Sequence, residues 1–115
     1  MSMKDKNYSL PPKTCSIERL ITIPADIDRV INGEKTATRR NGRYADIDEV
    51  MVLKDRKFII TDVYPQKLGD VTDEHALQEG FQNLEEYKQS ILSIHPSMKW
   101  KPEIRVWVHE FEAAE

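Results

Sequence analysis

The sequence predicts an α+β fold, a twisted sheet or small β-barrel with short helices packed around it. Three observations carry this. Short apolar runs with strand character recur along the chain. Helical periodicity is confined to a few short segments. The resulting order is strand, helix, several strands, two helices and a final strand, and short strands with few helices favour the α+β class.

Residues 1–13, "MSMKDKNYSLPPK", are polar and contain Pro11 and Pro12, so they read as a flexible N-terminal arm before a single domain over 14–115. "CSIERLITI" alternates in part and predicts a first strand. "PADIDRVINGEK" predicts a short helix. Pro24 suits its first turn, Asp26 and Asp28 favour its positive end, and Ile27, Val30 and Ile31 make one apolar stripe. Gly33 is its natural stop.

The threonines of "TATRR" give it strand propensity. "DEVMVL" and "KFIITDVY" read as two further strands, with the charged "KDRK" as a hairpin turn between them. "VTDEHALQEG" predicts a short helix capped by Thr72, acidic in its first turn at Asp73 and Glu74, and stopped by Gly80. "NLEEYKQSILSIHP" predicts a second, with Asn83 and Glu86 in a capping-box-like start. Leu84, Tyr87, Ile91 and Ile94 form its buried face, and Pro96 ends it. "EIRVWVHEF" is the last strand.

The 115 residues suffice for one compact core. An apolar content of 39% and a charged content of 32% suit a small domain with a large solvated surface. The formal net charge of −3 gives no support for indiscriminate nucleic-acid binding, so any phosphate chemistry must rest on a local patch. Cys15 is the one cysteine, which excludes an internal disulfide and a cysteine-rich metal site. With no apolar run of spanning length and no h-region at the N-terminus, the expectation is a cytoplasmic protein without a membrane partner.

Against that acidic background, "GEKTATRRNGR" gathers Lys35, Thr36, Thr38, Arg39, Arg40 and Arg43. In an extended strand Thr36, Thr38 and Arg40 face one way and Ala37 and Arg39 the other. Lys35 sits at the helix-to-strand junction and converges with Thr38 only if the chain bends near Gly33. A desolvated lysine can act as a base, a neighbouring threonine can supply a nucleophilic hydroxyl, and arginine offers a planar fork for phosphate, carboxylate or a base edge. The residues alone favour the plainer reading, a solvated basic edge strand whose charges resist aggregation.

Two other stretches bear on function. His75 and Glu79 are four apart on a predicted helix. They read as a solvent-facing pair, since two ligands do not make a metal site; Glu79 would serve as a general acid or base only if folded against the cations. Trp100 between Lys99 and Lys101 offers a stacking surface for a base, or else an anchor closing over the core. Trp107 reads as core, and nothing gives His95 or His109 a role.

"GEKTATRR" resembles the G-x-K-T-x-T-x-R signature of the ASCH domain family, a branch of the PUA-like superfamily. "DEVMVL", the segment "LGDVTDEHALQEGFQNLEEYKQSILSIHP" and "RVWVHEF" resemble the family's following strand, acidic helices and final strand, so the likeness runs from about residue 16 to 112. The resemblance implies a PUA-like small β-barrel of about five or six strands, with short helices around it and the signature lining a cleft. ASCH domains have been proposed to bind RNA, and a small bacterial branch looks like an amidohydrolase that removes the acetyl group of N4-acetylcytidine.

Carried over residue by residue, the branch's catalytic lysine, threonine and glutamate fall on Lys35, Thr38 and Glu79, and its arginine falls on Arg40. Amide hydrolysis without metal or cofactor is then expected, with Lys35 as base, Thr38 as nucleophile and Glu79 orienting Lys35 or shuttling a proton. Arg40, Arg39, Thr36, Arg43 and Trp100 are the expected substrate-binding residues. Arg39 departs from the branch, which has a hydrophobic residue there, and the extra arginine points to a phosphate. The expected partner is thus a nucleoside, a nucleotide or single-stranded RNA. RNA binding without catalysis, or ribonuclease action at the same cleft, is the alternative. Arg39, Arg40, Arg43 and the cations in the run 54–57 would serve it.

Overall fold

The computed structural model describes residues 12–94, 97 and 99–114. Helix α1 (Pro24–Ile31) is followed by strands β1 (Ala37–Arg40), β2 (Val50–Leu53) and β3 (Arg56–Lys67). Helices α2 (Asp73–Gln78) and α3 (Leu84–Ile94) and strand β4 (Arg105–Ala113) complete the chain. All strands join one antiparallel sheet in the order β1-β4-β3-β2, curled as a half-barrel. The α+β class is as expected. The strand count is corrected from about five or six to four among the described residues.

The missing strand is "CSIERLITI". Ile17–Arg19 form a 3₁₀ turn instead, in which Arg19 N–H and Leu20 N–H donate to Ser16 and Ile17 carbonyls. Its strongest apolar residues, Leu20 and Ile21, are consecutive and both buried. A strand would put them on opposite faces, whereas a compact turn sends both into the same core.

The hairpin between β2 and β3 turns on Lys54 and Asp55, both at positive φ. That is the pattern of a two-residue type I′ connection, here without the usual glycine. β3 runs past its expected end through Pro65 to Lys67. Proline is tolerated because β2 pairs only with residues from Arg56 to Ile59, so at Pro65 the strand has β4 as its only neighbour.

One face of the sheet carries the main core. Phe58, Ile60, Val63 and Phe111 pack there with Met51, Val30 of α1, Leu20 and Ile21, and with Ala45 and Ile47 of the β1–β2 connection. A smaller cluster, Val71, Ala76 and Tyr87 with Phe81, Leu84, Ile91 and Trp100, belongs to α2 and α3. Thr72 caps α2 as expected, its hydroxyl accepting from His75 N–H. Asn83 caps α3 by accepting from Glu86 N–H at 2.9 Å. The Ile94 side chain, His95, Pro96 and residues 1–11 of the expected arm lie outside the described residues. Among the described residues no helix is long and apolar enough to cross a membrane.

Candidate functional site

Two helix ends build the site. At the end of α1, Gly33 takes φ +79°, and Glu34 and Lys35 N–H both fold back to the Arg29 carbonyl. This is the bend that Lys35 needs to join the strand residues. At the end of α2, Gly80 takes φ +96°, Gly80 N–H donates to Leu77 O, and Phe81 N–H donates to Ala76 O. That is the Schellman pattern, and it makes Glu79 the last residue before the reversal. Thr36 N–H donates to the Gln78 carbonyl at 2.7 Å and ties the two ends together.

Lys35 and Glu79 meet there. Lys35 Nζ lies 2.8 Å from Glu79 Oε1 and 3.2 Å from the Glu79 carbonyl, so one ammonium satisfies a carboxylate and a helix-end carbonyl. Arg39 reaches the same carboxylate from β1, with Nη1 2.9 Å from Oε2. Its Nε donates to Gln66 Oε1 on β3 at 2.8 Å. Lys35 and Glu79 are each 3% exposed, and the Arg39 side chain is 1% exposed.

The reading of His75 and Glu79 as a solvent-facing pair is therefore corrected. Glu79 caps the end of α2 with helical dihedrals, and its side chain is buried because Lys35 and Arg39 close on its carboxylate. His75 instead uses Nδ1 to accept from Thr72 N–H at 3.0 Å, with the Gln66 amide 3.4 Å away. No cluster of metal-ligand residues occurs among the described residues. The solvated-edge reading of the basic run is corrected too. β1 is an edge strand, yet Ala37, Thr38 and Arg39 are buried.

A cleft of about 620 Å³ opens over these groups. Lys35, Thr38, Arg39, Arg40 and Glu79 line it, between the start of α1, the β1 strand and α3. Tyr44, Phe81 and Tyr87 give it aromatic walls. Thr38 is buried beside His109, its cross-strand partner. Arg40 donates Nε and Nη2 to the Leu20 carbonyl at 2.9 and 2.6 Å and lies 5.7 Å over the Tyr44 ring. Burial first, then the Glu79 carboxylate, holds the Tyr87 hydroxyl well above its ordinary range, so it stays a protonated donor.

The other expected binding residues stand elsewhere. The Thr36 side chain is exposed and its backbone serves the junction. Arg43 is buried and paired with Asp46 at 2.6 Å. Trp100 packs edge-on against Tyr87, with Lys88 5.0 Å over its ring, and does not line the cleft. Lys54 pairs with Asp28 at 2.9 Å.

Sequence reasoning missed three supporting residues. Gln66 orients Arg39. Arg29 stacks 5.1 Å over Phe81 and pairs with Asp26, bracing the turn that carries Glu79. His109 is fully buried, and its Nε2 accepts from Tyr44 N–H at 3.1 Å, fixing one wall of the cleft. Burial lowers His109 to about 4, with Arg40 and Arg43 acting in the same direction against the backbone of Thr38 and Trp107. The signal available in the sequence for His109 was its place among alternating apolar residues of the last strand.

No family model matches the chain, and no curated protein matches it. Solved structures do. An ASCH domain from Lactobacillus crispatus JV V101 superposes with a TM-score of 0.66 at 13% identity, over 98% of this chain and 86% of that one. A protein of Enterococcus faecalis V583 assigned to the DUF984 family superposes with a TM-score of 0.58 at 17% identity, over 96% of this chain and 82% of that one. At such identities the likeness is one of fold, and this chain has the fold of an ASCH domain.

Proposed function

We propose that the chain is an ASCH-family hydrolase whose cleft removes an acyl group from the exocyclic amine of a nucleobase, as in N4-acetylcytidine. One observation carries the reading. The buried Lys35–Glu79 pair stands in the same cleft as Thr38 and Arg40, the four residues that the sequence resemblance singles out. The aromatic walls and the cleft volume suit a nucleoside-sized ligand.

In this mechanism the Lys35 ammonium of the resting site first gives up a proton to solvent, and the amine then takes the Thr38 hydroxyl proton as Oγ1 attacks the acyl carbonyl carbon. The amide C–N bond breaks, Lys35 returns the proton to the departing nitrogen, and the acyl group stays on Thr38 as an ester. Water then hydrolyses that ester to the free acid and restores the hydroxyl. Arg40 faces the charge that develops on the carbonyl oxygen. Cations hold both Glu79 oxygens, which favours the orienting role for Glu79 over the shuttling one.

The test is loss of the N4-acetylcytidine ultraviolet band on incubation with the natural protein and with Lys35→Ala. Turnover by the first and none by a folded second is expected. Equal rates in both would remove Lys35 from the chemistry, and no turnover in either would remove the hydrolase.

A second reading, RNA binding without chemistry, draws on the exposed Arg105 at the cleft. It expects RNA affinity that falls steeply with salt. Unchanged amide chemical shifts on adding single-stranded RNA at low salt would count against it.

A further inference from the structure

The cations of the cleft are not matched by acids. Lys35, Arg39, Arg40 and Arg105 line it against Asp26 and Glu79. Asp26 is already engaged with Arg29 at 3.1 Å. Glu79 is thus the one carboxylate shared by two buried cations, and the triad carries a net positive charge out of water. Arg40 faces the neutral Leu20 carbonyl. On the Arg39 side of the sheet, Glu110 is occupied by the Tyr64 hydroxyl and does not line the cleft. An excess buried charge is costly unless a counter-ion meets it.

Arg39 also has donors to spare. Nε is on Gln66 and Nη1 is on Glu79, while buried Nη2 has no hydrogen-bond partner among the described residues. Gln66 is itself steadied by His75, so the guanidinium plane is fixed before any ligand arrives. A pre-set guanidinium with one unpartnered nitrogen suits a phosphate oxygen, which accepts a charge-assisted hydrogen bond. A buried donor left without an acceptor costs on the order of 1–3 kcal/mol, and an anionic oxygen removes that cost along with the charge excess.

We propose that the cleft takes a nucleotide rather than a nucleoside, with Arg39 seating the phosphate. The inference rests on the nucleobase reading above and names its substrate class. A free nucleotide fits better than a nucleic-acid strand, because the cleft holds about 620 Å³ and the chain as a whole carries a net charge of −3.

Calorimetry with cytidine and with cytidine 5′-monophosphate tests it, on the natural protein and on Arg39→Gln. The variant keeps the Lys35–Glu79 pair as a neutral unit. We expect the monophosphate to bind about tenfold more tightly than cytidine, and this preference to fall below about threefold in Arg39→Gln. Should Arg39→Gln fail to fold, the same preference in the natural protein is expected to shrink in 0.5 M salt while cytidine affinity holds, about the behaviour of a screened charge contact. Equal affinities for the two ligands overturn the phosphate seat and leave the nucleobase reading standing. A preference that survives in Arg39→Gln overturns the role of Arg39. A single-stranded oligonucleotide binding about a hundredfold more tightly than the monophosphate overturns the free-nucleotide assignment. Failure of both ligands to bind overturns the seat and the nucleobase reading together.

Discussion

Replacing Glu79 by Gln removes the only negative charge between two buried cations. Glu79→Gln keeps the shape of the side chain but leaves Lys35 and Arg39 facing a neutral amide. Breaking a buried pair in this way costs about 3–5 kcal/mol, because the uncompensated partner stays desolvated. Here two partners are left, so the upper half of that range is expected. A domain of this size is stable by roughly 5–15 kcal/mol, so the variant sits near the edge of folding. At about 4 °C per kcal/mol, the melting temperature falls by about 16–20 °C.

The cation variants are the internal control. Lys35→Met leaves Arg39 with Glu79, and Arg39→Gln leaves Lys35 with Glu79, so each retains a neutral pair. Their expected cost is about 1–2 kcal/mol, for a lost hydrogen bond and imperfect repacking. Urea unfolding followed by circular dichroism measures all three. The reasoning is refuted if Glu79→Gln costs less than about 1 kcal/mol, or if either cation removal costs as much as the loss of the carboxylate.

Three further outcomes follow from the site. His109 titrates at about 4 in the fold and at 6.5 ordinarily. The unfolded chain thus takes up its proton first, and stability is lost as pH falls from about 6.5 to about 4. The loss is up to about 3 kcal/mol, and denaturant titrations across that range should show a slope that His109→Gln flattens. Gly80→Ala places a Cβ at φ +96°, 2.8 Å from Arg29 Cδ, so about 2 kcal/mol of stability and the Arg29–Phe81 stacking should go together; an unchanged melting temperature contradicts this. Thr38→Val is close to isosteric and should fold, yet lose at least about a hundredfold in deacylation rate, whereas Thr38→Ser should retain measurable turnover; equal rates in Val and Ser variants exclude the hydroxyl as nucleophile.

Much of the site can be read along the chain because its signals are local. Gly33 and Gly80 announce two helix ends, and each end delivers one charged residue to the cleft. What failed to read correctly involved relations across the chain. The pair His75–Glu79 is four residues apart on α2, but Glu79 is buried because Lys35 and Arg39, distant in sequence, close on its carboxylate. "CSIERLITI" had strand-forming residues but no strand to pair with, and a strand exists only where another backbone accepts its hydrogen bonds.

By itself the sequence determined the class of fold and the positions of three helices and four strands. These follow from periodicity, capping and turn chemistry, which act within a few residues. Only the tertiary structure decided that Arg39 shares the Glu79 carboxylate, that Gln66 holds Arg39, and that His109 braces Tyr44. Those contacts join residues 27 to 65 positions apart. No local pattern encodes them, because burial of charge depends on which distant surfaces close over it.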